Sequence, residues 1–160
     1  MLLPLRIVKL ALLSAFFIFL LWTLISLLIP SRVRISRAAN ISAPKERVQA
    51  LVNDSSQWRT WHPWLADSNS SARNIRFTFR ERSDTLTVAL LQHPGVRDLE
   101  QAFRYYQLGG ANTVTVQWYS DIHLRWYPWE KFSSLFFEQS YGAMMEAGIR
   151  NLKQQAEAAK

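Results

Sequence analysis

From Leu10 to Ile29 the chain carries no charged side chain, and eight Leu, three Phe and three Ile fill the run. About 20 helical residues at roughly 1.5 Å each match the ~30 Å hydrocarbon core of a bilayer. At about −0.4 kcal/mol for each strongly apolar residue, insertion is favoured by roughly 6 kcal/mol. The pattern predicts a membrane-spanning helix. Past Pro30 the period becomes two. Val33, Ile35, Arg37, Ala39 and Ile41 share one face, and Arg34, Ser36, Ala38 and Asn40 the other, which predicts a first strand over Arg32 to Ile41. Ser42-Ala43-Pro44 then opens a helix with Glu46 near the positive end of its dipole and Val48, Leu51 and Val52 as its apolar stripe. Asn53-Asp54-Ser55-Ser56 ends that helix and caps a short second one through Trp58, which stops before Pro63.

Antiparallel strand signals follow. Ile75, Phe77 and Phe79 alternate with Arg76, Thr78 and Arg80 over Asn74 to Arg80. A polar turn leads to a strand over Thr85 to Gln92, closed by His93-Pro94-Gly95. Gln101 to Leu108 and Asn112 to Ser120 flank Gly109-Gly110-Ala111, a hairpin signal, and Val114, Val116 and Trp118 share a face of the last strand. From Phe132 the period turns helical: Phe137, Tyr141, Met144, Met145, Gly148 and Leu152 recur at three- and four-residue steps, and the polar stretch Lys153 to Lys160 is expected to fray. Strand, short helices, meander and long final helix predict an α+β domain at 31–160 behind a tail and anchor at 1–30.

Composition and charge add direction. A cleaved signal peptide has an apolar region of about 7–15 residues and a small-residue cleavage site. This run is longer, and Pro30-Ser31-Arg32-Val33-Arg34 makes a poor site, so a retained single-pass anchor is expected, with the lipid bilayer as partner through Leu10 to Ile29. Arg6 and Lys9 before the helix nearly balance Arg32, Arg34 and Arg37 after it. Because long domains translocate largely regardless of charge, the domain is placed outside the cytoplasm. The net charge is +7, which serves solubility and topology or favours an anionic surface. With no Cys, disulfides, thiolate catalysis and Cys-based zinc sites are excluded.

The chemistry-bearing residues are mostly aromatic. Six of the seven Trp cluster: Trp58, Trp61 and Trp64 stand at three-residue steps, and Trp118, Trp126 and Trp129 surround the final strand and the start of the long helix. Two readings stand side by side, an aromatic mouth or membrane rim and a core cluster locking short helices onto the sheet. The Tyr141, Met144 and Met145 stripe serves equally as core or as adaptable pocket lining. His62 and His93 each precede Pro in a turn and read as surface or capping groups. Asp121 and His123 lie two apart and could form a dyad or half a metal site, with no further ligands identified, or serve surface or capping roles too. Arg73, Arg76, Arg80 and Arg82 surround one hairpin; Phe77 and Phe79 point away from Arg76, Arg80 and Arg82, which argues against nucleic-acid binding. No nucleophile motif, metal motif or phosphate-cradling Gly loop occurs, so no catalytic residue, metal or cofactor is assigned.

Ile41-Ser42-Ala43-Pro44 through Val48, Val52 and Asp54 to Trp58, Trp61, Pro63 and Trp64 resembles the opening of the START-like helix-grip superfamily, also called SRPBCC or polyketide cyclase/dehydrase-like. Thr113 to Trp118, Tyr127-Pro128-Trp129-Glu130-Lys131-Phe132 and Gly148-Ile149-Arg150-Asn151-Leu152-Lys153 resemble the last strand and gripping helix of its membrane-anchored bacterial members. The resemblance implies a curved antiparallel sheet around the C-terminal helix, an intervening hydrophobic cavity and a bacterial inner-membrane location. Residues 65–110 depart from it, with fewer strands and no Gly-rich first hairpin, which implies a smaller or partly filled cavity. The resulting expectation is a tethered binding module for a small apolar or amphipathic molecule, lipid or polyketide-like. Its lining would come from Trp58, Trp61, Trp64, Phe77, Phe79, Val116, Trp118, Tyr141, Met144 and Met145. A cyclase- or hydrolase-type enzyme using Arg104, Tyr106, Asp121 or His123, and a structural domain with a filled cavity, are the alternatives.

Overall fold

The computed structural model describes residues 4–66, 75–92, 98–107 and 112–158. The expected turns at His93-Pro94-Gly95 and Gly109-Gly110-Ala111, and Arg73, lie outside the described residues. The chain forms two compact units: one comprises the residues through Val33 with His123–Phe136, the other Arg34–Ile122 with Phe137 onward.

In the first unit, helix α1 runs Leu5–Leu27, starting earlier and ending sooner than the uncharged run. Pro4 sets its start, and Arg6 and Lys9 fall inside it because long basic side chains extend away from an apolar stem. Near its end, the Leu28 and Ile29 amides donate to Ile25 and Ser26 carbonyls three residues back, and Pro30 prevents further helix. Two hydroxyls within the run are satisfied locally: Thr23 Oγ1 donates to the Phe19 carbonyl and Ser26 Oγ to that of Thr23. The helix has the length and hydropathy of a membrane span or a signal sequence. The same unit holds the short helix α5 (Pro128–Ser133), with Pro at its start, and the 3-10 turn Ser134–Phe136.

The second unit is built on a five-stranded sheet of order β1-β5-β4-β3-β2, from β1 (Arg32–Ile41), β2 (Arg76–Arg82), β3 (Leu86–Gln92), β4 (Leu99–Tyr106) and β5 (Val114–His123). The pairs β2–β3, β3–β4 and β4–β5 are antiparallel. On the inner face lie Ile35, Thr87, Ala89, Leu91, Phe103, Val116 and Trp118, all buried. Between β1 and β2 come α2 (Lys45–Asn53), α3 (Trp58–Trp61) and α4 (Pro63–Ala66). Asp54 ends α2, its carboxylate accepting from the Ser56 amide and hydroxyl, which also holds its pKa below the usual value. The second short helix thus begins at Trp58 rather than ending there, and Pro63 starts a further turn.

Helix α6 (Phe137–Ala158) buries Met145, Gly148, Ile149, Leu152 and Ala156. At Gly148 an added Cβ would sit 2.5 Å from Trp118 Cζ3 and 3.0 Å from Pro63 Cδ, so only glycine permits this helix–sheet approach. The polar C-terminal stretch does not fray within the described residues: Ala156 is fully buried, Gln155 exchanges hydrogen bonds with Thr60, and Glu157 accepts from the Ser42 amide.

Candidate functional site

The centre of the grip is a cluster of rings. Trp58 meets Trp61, His62, Phe77, Phe79 and Phe103 at centroid distances of 5.1–6.1 Å. Trp118 meets Trp61, His62 and Phe103 at 5.2–5.8 Å. Trp58, Trp61, Phe103 and Trp118 are fully buried. Trp58 and Trp61 donate their indole N–H to the carbonyls of Val52 and Leu51, fastening α3 to the end of α2.

His62 is the residue that sequence reasoning misplaced. It is fully buried rather than at the surface, stacked on Trp58 with an interplanar angle of 7°. Burial pushes its pKa down to about 4, against the opposing hydrogen bond with Gln101. His62 Nε2 and Gln101 Oε1 are 3.2 Å apart, so Nε2 carries the proton and Nδ1 a lone pair. Neither His62 Nδ1 nor Trp118 Nε1 has a hydrogen-bond partner among the described residues. One is an acceptor and the other a donor, on rings 5.2 Å apart. Unpartnered buried groups of this kind cost about 1–3 kcal/mol each. The signal available in the sequence was the Trp-x-x-Trp-His spacing, which places the imidazole beside both indoles.

Around this centre the packing opens. Trp64 is 37% exposed and meets Tyr141 at 5.5 Å; Tyr141 meets Phe137 at 5.4 Å, and Met144 on the same helix is half-buried. His62 contacts Trp64 at 5.9 Å, linking this half-exposed shelf to the buried rings. Val116 and Met145 lie in the core, and Phe77 and Phe79 close the Trp58 side, half-buried. Arg82 is not on the polar side of β2. The register shifts between Phe79 and Glu81, pairing Arg82 with Thr87, an inner-face residue, and laying its guanidinium 3.9 Å from the Phe79 ring centroid. Arg76, Arg80 and Arg82 are all exposed, as expected.

The polar groups considered for catalysis lie elsewhere. Gln117, Tyr119 and Asp121 occupy the face of β5 opposite Val116 and Trp118, and Arg104 and Tyr106 the same outer face of β4. There Asp121 takes a two-point contact from Arg34 at 2.6 Å, Tyr106 donates to Gln117, and Arg34 lies over Tyr119. His123 is exposed. Arg104, Tyr106 and Asp121 are thus separated from the inner rings by the sheet itself.

No family model matches the chain, and no curated protein matches it in sequence. Solved structures do. A START superfamily protein from Mycobacterium smegmatis is 16% identical over 79% of this chain and 99% of its own, with a TM-score of 0.54. The Zhui aromatase/cyclase from Streptomyces sp. R1128 is 12% identical over 79% of this chain and 94% of its own, at 0.51. The di-domain ARO/CYC StfQ from the steffimycin biosynthetic pathway is 10% identical over 79% of this chain and 51% of its own, at 0.57. The chain has the START-like helix-grip fold: an antiparallel sheet with a long C-terminal helix packed on it.

Proposed function

We propose that the domain is a membrane-tethered binding module for a small amphipathic ligand, held between the sheet and α6. The observation that carries this reading is the buried, unpartnered pair Trp118 Nε1 and His62 Nδ1, on rings 5.2 Å apart, with His62 also in ring contact with Trp64 of the half-exposed shelf of Trp64, Tyr141 and Phe137. A ligand hydroxyl accepts from the indole and donates to the imidazole, while its apolar body lies along the shelf and Met144. Burying about 300 Å² of ligand apolar surface offers about 7 kcal/mol before association costs, which sets micromolar affinity as the ceiling. That other helix-grip proteins include aromatase/cyclases supports the reading by analogy of fold.

The close contacts of the central rings favour a second reading, in which the interior is filled by the protein's own side chains and the domain acts through its surfaces. Native mass spectrometry of the detergent-extracted full chain, with titration of an apolar fluorescent probe, separates the two. Under the binding reading a small molecule co-purifies or the probe saturates. Trp64→Ala then weakens probe affinity about ten-fold, near 1.4 kcal/mol, while the unfolding midpoint stays put. Neither a bound molecule nor saturable uptake leaves the filled-interior reading.

A further inference from the structure

We propose that the segment Leu124–Phe136 is a second membrane contact, lying in the headgroup region of the leaflet where α1 ends. The inference rests on α1 spanning a bilayer. Within this unit the segment is fixed to the helix end at several points. The Trp22 ring stacks on Phe132, centroids 5.4 Å apart and planes 27° apart. Lys131 is 3% exposed, and its Nζ donates to the Ile29 carbonyl at 2.8 Å and to Ser31 Oγ at 2.7 Å. The Leu124 amide donates to the Ser31 carbonyl.

Those contacts set a depth. Trp22 precedes the last helical residue, Leu27, by five positions, about 7 Å along the axis. An element packed at that level lies about where interfacial helices sit, roughly 5–10 Å into the boundary between headgroups and acyl chains. Its chemistry suits that layer. Trp126, Trp129, Leu135 and Phe136 are 63%, 55%, 63% and 65% exposed, and Tyr127 stacks on Trp129 at 4.8 Å and meets Trp126, tilted, at 4.9 Å. Exposed Trp and Tyr with aliphatic and phenyl neighbours are what an interfacial belt contains, whereas water-facing surfaces rarely group them. Arg125 is paired with Glu130 of α5, and the exposed Arg32 beside the helix end gives the layer a basic edge that suits anionic lipid. Continuity with the anchor commits the surface to lipid rather than to a protein partner.

The native chain has no Cys, so single cysteines label uniquely. Full-length protein carrying an environment-sensitive fluorophore at L20C, L135C or F136C is reconstituted into phosphatidylcholine–phosphatidylglycerol vesicles, with or without nitroxide lipids labelled near the headgroup. The expected result is quenching of the Leu135 and Phe136 labels several-fold beyond nitroxide-free vesicles, and stronger in vesicles richer in phosphatidylglycerol. Quenching at Leu20 with none at Leu135 and Phe136 overturns the second contact and keeps the span. Absence of quenching at all three overturns the span, and the second contact with it. A blue shift at Leu135 and Phe136 that tracks protein concentration without quenching assigns the surface to a second copy and overturns the lipid proposal.

Discussion

Acidification is a direct test of where His62 sits. In the folded chain its imidazole is fully buried among indoles and its pKa is depressed to about 4 by loss of water, with the Gln101 hydrogen bond opposing the change. In the unfolded chain it titrates near 6.5. The folded state therefore refuses a proton that the unfolded state accepts. Stability from this group is complete above about pH 6.5, falls as pH drops toward 4, and is fully lost below that. A tenfold difference in proton affinity between the two states corresponds to about 1.36 kcal/mol, so between about pH 7 and about pH 4.5 the linkage removes on the order of 2–3 kcal/mol. Carboxylates titrate in the lower part of that window, so the comparison is with His62→Gln, whose amide reaches toward Gln101 without titrating. Urea unfolding of the full chain in detergent, followed by Trp fluorescence at a series of pH values, measures both. The difference in stability between wild type and variant should shrink by about 2–3 kcal/mol across the window. Parallel pH profiles refute the reasoning, because they mean that the imidazole is protonated equally easily in both states.

Two further substitutions test the frame and the outer face. Gly148→Ala gains up to about 1 kcal/mol of helix propensity but places a methyl against Trp118 and Pro63, so net destabilisation of about 1–3 kcal/mol is expected from urea unfolding; a stabilised variant would mean that α6 stands off the sheet. Asp121→Asn removes an ion pair whose Arg34 side chain is 60% exposed, so stability should fall by less than about 1 kcal/mol and probe binding should not change. Loss of probe binding in that variant would return the outer face to the site.

Much of the fold was legible because its signals are local. β1, β2 and β5 announce themselves by alternation, and β1 keeps the bounds Arg32–Ile41 that alternation assigns. What failed was decided at a distance or by a break in register. Arg82 changes face because one extra residue at Arg80 offsets the pairing of β2 with β3, and no single-strand pattern contains that slip. His62 reads as a turn residue before Pro63; it is the sheet residues Gln101 and Trp118, remote in sequence, that enclose it. The C-terminal stretch reads as solvated until Thr60 and Ser42 supply partners for Gln155 and Glu157.

The indole N–H offers a sharper sorting of the tryptophans than burial does. Trp58, Trp61 and Trp118 are equally buried, yet the first two spend their donors on α2 carbonyls and so have complete structural roles. Trp118 does not, although it sits at a close approach between α6 and the sheet. A residue kept only for packing at that point would cost less as Phe, which fills much of the same space without a donor to satisfy. Trp118→Phe therefore divides the two functional readings at one atom: if the interior is merely filled, losing the unpartnered N–H offsets part of the lost ring area, whereas a ligand-binding centre loses its donor.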